Sequence, residues 1–150
     1  MVQENELAPD FTLPSDQGED ITLSSFRGQK VVLYFYPKDD TPGCTKEACS
    51  FRDDYSRFTM KGAAVIGVSP DAGESHLKFR VKFGLPFYLL TDADHQVALM
   101  YGAWGPKQSY GKTYEGILRS TFVIDEQGRI AHIFRNVKPE GHAQEVLAVL

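Results

Sequence analysis

The chain has 150 residues, of which 42% are hydrophobic and 24% are charged, a balance that is typical of one folded domain and excludes a disordered chain. A formal net charge of -4, with 16 scattered Lys and Arg residues, argues against a nucleic-acid-binding surface. No run of about 18 consecutive apolar residues predicts a membrane span, and the polar, acidic start lacks the pattern of a signal peptide, so we expect a cytoplasmic protein.

The first half of the chain predicts a small hairpin followed by alternating strands and helices. Residues 11–13 and 21–23 alternate apolar with polar side chains around a Ser-Asp-Gln-Gly turn, which indicates the hairpin. Residues 31–36 form an unbroken apolar run rich in β-branched and aromatic side chains, which favours a central strand covered on both faces. The other elements predicted here are a helix over 43–60, a second buried strand over 63–69 and a helix over 75–83 that ends at Gly84.

The second half predicts a short strand, a short helix, a loop and a second hairpin. Residues 102–116 show no clear periodicity and contain four of the 13 glycines, which predicts a loop. The elements around this loop are a strand over 87–90, a helix over 94–101, strands over 120–124 and 130–135 joined by an Asp-Glu-Gln-Gly turn, and a last helix after Pro139. This order predicts a single α/β domain over residues 1–150 with a central mixed sheet flanked by helices.

The segment from Pro37 to Cys49 holds both cysteines and is the most informative part of the chain. It places Cys44 where a buried strand ends and a helix begins, beside the crevice in which open α/β sheets bind ligands. The free N–H groups and the positive dipole end of the first helical turn stabilise a thiolate, which is the reactive form of cysteine. Asp39 and Asp40 oppose that effect, so we expect an additional cation beside the sulfur.

Cysteines of a cytoplasmic protein rest as thiols, and a domain of this length has no need of a disulfide to hold its core. A catalytic or redox use of Cys44 and Cys49 is therefore favoured. On an ideal helix, Cα atoms five residues apart are separated by about 8.7 Å, whereas a disulfide requires roughly 4.4–6.8 Å. The two sulfurs can bond only if the first turns of the helix unwind.

The spacing Pro37-x-x-x-Thr41-x-x-Cys44 resembles the signature of the peroxiredoxins. The second cysteine, Cys49, makes the chain similar to their bacterioferritin-comigratory, or peroxiredoxin Q, subfamily. The segment that begins at Arg119 is similar to the one that bears the catalytic arginine of the family. The resemblance extends over nearly the whole chain, and it implies a thioredoxin-like fold and a thiol-dependent peroxidase that reduces hydrogen peroxide and organic hydroperoxides.

The resemblance also implies a role for each residue of the signature. Cys44 is the thiolate that attacks the peroxide and becomes a sulfenic acid. Thr41 orients the peroxide oxygens, and Pro37 shields the sulfur from water. Arg119 stabilises both the thiolate and the charge that spreads over the breaking O–O bond, so it is the candidate for the expected cation.

Two further residues and the partners follow from the same resemblance. Cys49 is the resolving thiol, which forms an intramolecular disulfide with Cys44, and Glu47 resembles an acid that positions the arginine. Thioredoxin, or a similar dithiol, is the expected reductant. No organic cofactor is required, because the sulfur carries both electrons. Since both cysteines lie in one chain, we expect a monomer.

Two other functions remain open at this stage. One is a disulfide reductase on the same scaffold, although those centres generally use Cys-x-x-Cys. The other is a non-catalytic redox sensor or chaperone that exposes apolar surface when Cys44 is oxidised. No metal site is expected, because no histidine is spaced with the cysteines as zinc ligands are; the histidines concerned are His76, His95, His132 and His142.

Overall fold

A computed structural model describes residues 2–150. The strands in chain order are β1 (Thr12–Pro14), β2 (Asp20–Thr22), β3 (Lys30–Phe35), β4 (Ala63–Ser69), β5 (Tyr88–Thr91), β6 (Trp104–Ser109), β7 (Lys112–Ile117), β8 (Ser120–Ile124) and β9 (Ile130–Phe134). The helices are α1 (Pro42–Asp53), α2 (Tyr55–Met60), α3 (Gly73–Phe83), α4 (Gln96–Tyr101) and α5 (His142–Leu147), and a single 3-10 turn spans Leu23–Phe26. Within residues 2–150, no helix combines the length and the apolar character that crossing a membrane requires.

The central sheet has five strands in the order β5-β4-β3-β8-β9. β3 is the middle strand and pairs in parallel with β4 and antiparallel with β8. This mixed sheet, with the β1–β2 hairpin near the amino terminus, is the predicted thioredoxin-like architecture. In the β3–β8 register, Phe35 lies opposite Ser120, so the start of β8 adjoins the end of β3.

Both faces of the sheet are covered, which explains the continuous apolar run of β3. Its side chains alternate between the two layers, with Leu33 on one face and Val32 on the other, and both are fully buried. One layer is formed by the β1–β2 hairpin, α4 and the base of the β6–β7 hairpin. The other layer is formed by α1, α2, α3 and α5, whose apolar faces pack on the sheet.

The predicted helix over 43–60 is wrong in one respect, because the structure divides it at Asp54 into α1 and α2. Asp54 has φ -100° and ψ 10°, outside the helical region, and aspartate is a poor residue for a helix interior. Gln144 of α5 donates a hydrogen bond of 2.8 Å to Asp54 Oδ2 and fixes the carboxylate at this break.

The predicted loop over 102–116 is also wrong, because most of it forms the β6–β7 hairpin, in which Trp104 pairs with Ile117. The two-residue turn is Tyr110-Gly111, and both residues have positive φ, 52° and 76°, as a type I′ turn requires. The hairpin is largely exposed on both faces, so it lacks the apolar alternation that marks a half-buried strand. Trp104 stacks on His95 with ring centroids 3.8 Å apart, which packs the base of the hairpin against the start of α4.

Candidate active site

The sulfur of Cys44 lies where β3 gives way to α1. Thr41 is the N-cap of α1, Pro42 is the first helical residue, and Cys44 is the third. The first hydrogen bond of the helix runs from the Thr45 N–H to the Thr41 carbonyl at 2.8 Å, so the N–H groups of Gly43 and Cys44 precede it. Cys44 is 2% exposed. The sulfur therefore lies in a buried, electropositive helix terminus.

Arg119 contacts that sulfur directly. Its Nη2 donates a hydrogen bond of 3.3 Å to Cys44 Sγ. The contact spans 75 residues of sequence and arises from the sheet register, since Arg119 immediately precedes β8 and β8 begins beside the end of β3. The N–H of Val137 donates to the Arg119 carbonyl at 3.1 Å and holds its backbone in place. The structure thus places a cation beside Cys44, at the position where one was expected.

Glu47 holds the other side of the guanidinium. Arg119 Nη1 donates to Glu47 Oε1 at 2.6 Å, and the Glu47 side chain is fully buried. Burial raises the pKa of Glu47 to about 7, although the adjacent Arg119 opposes that rise. Glu47 Oε2 has no hydrogen-bond partner among the described residues, which also disfavours the ionised form. Glu47 therefore changes its charge close to neutral pH.

Arg119 keeps its own charge in this setting. Burial by itself lowers the pKa of Arg119, but the negative charges of Glu47 and Cys44 outweigh burial, and its pKa is raised above the usual value. The guanidinium stays charged and bonds the Cys44 sulfur and the Glu47 carboxylate through separate nitrogens. It therefore fixes the relative positions of these two groups.

Thr41 and Pro37 lie on the loop that leads into α1, and both are half-buried. The Thr41 hydroxyl donates to the Lys38 carbonyl at 2.9 Å. Because its hydrogen is used there, the hydroxyl oxygen offers its lone pairs to a donor such as the O–H of a hydroperoxide. Pro37 directly follows the fully buried Tyr36 at the end of β3.

Gly43 was not singled out from the sequence, yet the site requires its small size. A Cβ atom at this position would lie 3.3 Å from Arg119 Nη2 and 3.5 Å from Pro139 Cγ. A side chain here presses on the guanidinium that bonds the sulfur. The Pro-Gly dipeptide at 42–43 is an ordinary turn signal in sequence, so only the distant Arg119 reveals this constraint.

Cys49 lies on the same helix as Cys44 but is partly exposed, and both residues are free thiols. Five residues rotate a helix by about 140° beyond a full turn, so the two side chains diverge. Burial raises the pKa of Cys49; Arg52 opposes this and Asp53 adds to it. Cys49 is thus kept as a protonated thiol, away from the buried sulfur, while α1 is intact.

The carboxylates of Asp39 and Asp40, which were expected to repel a thiolate, are paired with other groups. Asp39 is buried; its Oδ2 lies 2.7 Å from His76 Nδ1, and its Oδ1 accepts a hydrogen bond of 2.6 Å from the Tyr36 hydroxyl. Asp40 forms an ion pair of 2.8 Å with Lys82. Both carboxylates are therefore paired with side chains of α3, and the loop is anchored to that helix.

Asp39, Asp71 and His76 bring ligand-type atoms within 4.8 Å of one another. Those atoms are occupied by protein groups. Asp71 Oδ2 accepts hydrogen bonds of 2.8 Å from both the Asp39 N–H and the Ser69 hydroxyl. His76 Nε2 lies 3.0 Å from the Leu90 carbonyl, which can only accept. The cluster is a closed hydrogen-bond network that fixes the loop before α1.

A family model described as the AhpC/TSA family matches residues 5–133 of the chain. Peroxiredoxin Bcp of Bacillus subtilis is 48% identical over 149 residues, covering 99% of this chain and 95% of the relative. A crystal structure of a PrxQ mutant of Xylella fastidiosa superposes with a TM-score of 0.93 at 36% identity, covering 99% of this chain and 94% of the other. The bacterioferritin comigratory protein of Xanthomonas campestris, studied for alkyl peroxide reduction, gives a TM-score of 0.87 at 39% identity and covers 92% and 88%.

The fold, the buried thiol and these similarities define a peroxidase of the thioredoxin-like class. The chain belongs to the AhpC/TSA family and, within it, to the Bcp/PrxQ group of peroxiredoxins. Membership implies a peroxide as the oxidising substrate and a thiol as the reductant.

Proposed function

We propose that the chain reduces hydrogen peroxide and organic hydroperoxides through a sulfenic acid at Cys44 and an intramolecular Cys44–Cys49 disulfide that thioredoxin, or a similar dithiol, reduces. The observation that supports it most strongly is the 3.3 Å hydrogen bond from Arg119 to Cys44 Sγ at the start of α1. The proposal includes a cytoplasmic location and no organic cofactor, since the sulfur carries both electrons. It also includes a monomeric enzyme, because one chain contains both thiols.

In the first step the Cys44 thiolate attacks the terminal oxygen of the hydroperoxide. An S–O bond forms and the O–O bond breaks, so sulfur is oxidised by two electrons and the leaving alkoxide takes up a proton to become water or an alcohol. Arg119 and the free N–H groups of the helix terminus stabilise the negative charge that moves from sulfur to oxygen. The Thr41 hydroxyl oxygen accepts a hydrogen bond from the hydroperoxide O–H, and Pro37 limits the access of water.

In the second step the Cys49 thiol attacks the sulfenic sulfur, which forms the disulfide and releases the sulfenic oxygen as water. The helical separation of about 8.7 Å between the Cα atoms exceeds the roughly 4.4–6.8 Å that a disulfide allows. The first two turns of α1 must therefore unwind in each cycle. Phe51, which is fully buried and stacks on Tyr34 at 4.8 Å, lies beyond Cys49 and anchors the rest of α1.

We predict that Cys49→Ser permits one rapid oxidation of Cys44 but stalls recycling by thioredoxin. The sulfenic acid then has no partner in the chain and is open to further oxidation. The measurement is a coupled assay with thioredoxin, its reductase and NADPH, supplied with hydrogen peroxide or a bulky organic hydroperoxide, together with mass spectrometry of the oxidised protein. Unimpaired turnover of this variant would show that resolution occurs elsewhere.

The same assay separates the peroxidase from a disulfide reductase. With a peroxidase, the thioredoxin reductase of the coupled assay oxidises NADPH in proportion to the peroxide added, and the wild-type protein forms the Cys44–Cys49 disulfide. Reduction of insulin disulfides in the absence of peroxide, at a rate above that of thioredoxin alone, would contradict the proposal.

Glu47→Gln is predicted to remove the pH dependence that Glu47 confers on the peroxide step. In the wild type, the rate per ionised Cys44 falls as the pH drops through about 7, because protonation of Glu47 removes the negative charge that holds Arg119. The glutamine variant mimics the protonated acid. Above neutral pH it therefore reacts roughly tenfold more slowly than the wild type, because it has lost one charge-assisted hydrogen bond. Its rate per thiolate stays constant with pH.

The control is Glu140→Gln, which neutralises an exposed carboxylate on the loop beside Pro139. Stopped-flow measurement of the second-order rate constant between pH values on either side of neutrality gives the comparison. If Glu140→Gln and Glu47→Gln have the same profile as the wild type, Glu47 does not govern the reaction.

A further inference from the structure

The peptide unit between Lys38 and Asp39 lies between the turn that follows β4 and the hydroxyl group of Thr41. Its N–H donates a hydrogen bond of 2.8 Å to Asp71 Oδ2. Its C=O accepts the hydrogen bond of 2.9 Å from the Thr41 hydroxyl. Because the C=O and the N–H of a trans peptide lie in one plane and point in opposite directions, the bond to Asp71 sets the direction in which the Lys38 carbonyl meets Thr41.

Asp71 is itself held in place by the central sheet. Ser69, the last residue of β4, is fully buried, and its hydroxyl donates a hydrogen bond of 2.8 Å to Asp71 Oδ2. The Ser69 hydroxyl oxygen also accepts a hydrogen bond of 3.2 Å from the Asp71 N–H. The Ser69 carbonyl accepts a hydrogen bond of 2.9 Å from the N–H of Asp92, which follows β5. The Asp71 carboxylate therefore keeps a fixed position relative to the sheet.

The loop before α1 requires such an anchor. Asp40, between this peptide unit and Thr41, has φ 57°, a left-handed conformation that residues other than glycine keep only when surrounding contacts hold it. Without the bond to Asp71, the peptide unit can rotate and withdraw the Lys38 carbonyl from the Thr41 hydroxyl. The hydroxyl can then turn its hydrogen, instead of a lone pair, toward the O–H of a hydroperoxide.

We propose that Asp71 is a positioning residue of the peroxide step, which acts through the Lys38–Asp39 peptide to orient the Thr41 hydroxyl toward the substrate. The inference rests on the proposed function, in which Thr41 accepts a hydrogen bond from the hydroperoxide. It assigns a role in the reaction to the turn between β4 and α3, which contributes no residue of the peroxiredoxin signature.

The test is a double-mutant cycle on Asp71 and Thr41, measured by stopped flow in a Cys49→Ser background. Asp71→Ala lowers the second-order rate constant with hydrogen peroxide by roughly three- to tenfold, the range of one hydrogen bond. Thr41→Val, which removes the hydroxyl and keeps the shape of the side chain, also lowers it. Adding Asp71→Ala to Thr41→Val changes the rate by less than about twofold, because the group through which Asp71 acts is already missing.

A second measurement separates orientation of the peroxide from a general disturbance of the site. Iodoacetamide alkylates the same sulfur by displacement of iodide and has no O–H group for Thr41 to orient. The alkylation rate of Cys44 is therefore the same in Asp71→Ala and in its Cys49→Ser parent. A merely structural defect at the start of α1 changes the rates with both reagents.

Two substitutions at Asp71 and one control define the interaction. Asp71→Asn keeps an amide oxygen that accepts hydrogen bonds from the Asp39 N–H and the Ser69 hydroxyl, so it restores most of the peroxide rate that Asp71→Ala loses. Glu74→Ala is the matched control, since it removes an exposed carboxylate from the first turn of α3 and leaves both rates unchanged. Thermal unfolding shows whether each variant is folded. If Asp71→Ala does not fold, Ser69→Ala, which frees the Asp71 carboxylate, takes its place in the cycle.

Full additivity of the Asp71 and Thr41 substitutions overturns the assignment, as does an equal loss of the peroxide and alkylation rates in Asp71→Ala. Both results leave the proposed function intact. An unchanged peroxide rate in Thr41→Val alone instead contradicts the proposed role of Thr41, and with it the inference. Peroxide turnover that survives loss of the Cys44 thiol refutes the enzyme mechanism as a whole.

Discussion

Replacement of Cys44 with serine is expected to reduce peroxide consumption to the uncatalysed background. The serine hydroxyl is almost entirely protonated at neutral pH, and its oxygen cannot be oxidised in the way sulfur is. The substitution changes little in volume, so the packing of this 2% exposed side chain against α1 and β3 is retained. The large loss of activity therefore comes from the missing thiolate.

The measurement is peroxide loss in a single turnover, monitored for the reduced wild type, Cys44→Ser and Cys49→Ser. The Cys49→Ser protein is the matched control, because it loses the other thiol of α1 and still consumes one equivalent of peroxide. Consumption by Cys44→Ser above the background rate would place the nucleophile elsewhere in the chain and remove the basis of the proposed mechanism.

Arg119→Met is expected to produce the second largest effect. The rate constant for the peroxide step decreases by roughly 10²- to 10³-fold, which is the range found when one hydrogen-bond donor to a developing anion is removed. Methionine fills much of the same space but supplies neither the 3.3 Å hydrogen bond to Cys44 nor the 2.6 Å bond to Glu47. The rate is measured by stopped flow, and the ionisation of Cys44 by thiolate absorbance.

The variant also leaves Glu47 buried without its cation, so a loss of stability accompanies the loss of rate. The double variant Arg119→Met/Glu47→Gln separates the two effects. Replacing the unpaired acid with an amide recovers thermal stability, whereas the peroxide rate stays low. Recovery of the rate in the double variant would show that Arg119 acts only by neutralising Glu47 and not on the sulfur or the substrate.

The sequence predicts the parts of this fold whose signals are strong and local. The apolar run at 31–36 identifies the central strand because it is buried on both faces, and the Pro-Gly dipeptide marks the start of α1 beside Cys44. Arg119 was singled out by resemblance. Its contact with the sulfur depends on the β3–β8 register, which no local pattern encodes.

The missed features depend on weak or distant signals. The β6–β7 hairpin is exposed on both faces and turns at Tyr110-Gly111, which is less recognisable than Asn-Gly, so neither periodicity nor turn composition marks it strongly. The sequence predicts that Asp39 and Asp40 destabilise the thiolate, because it shows their negative charges and not the side chains that pair with them. Those partners, His76 and Lys82, lie 37 and 42 residues away.

The interruption at Asp54 has a consequence for the solubility of the oxidised protein. Loss of helical structure spreads along a continuous helix, but here it can extend through α1 only, since α2 has its own start and the fully buried Phe58 attaches it to the sheet. If α1 opens to let the thiols meet, this part of the sheet face stays covered. In the proposed cycle, we therefore expect the oxidised protein to expose little additional apolar surface and to resist aggregation.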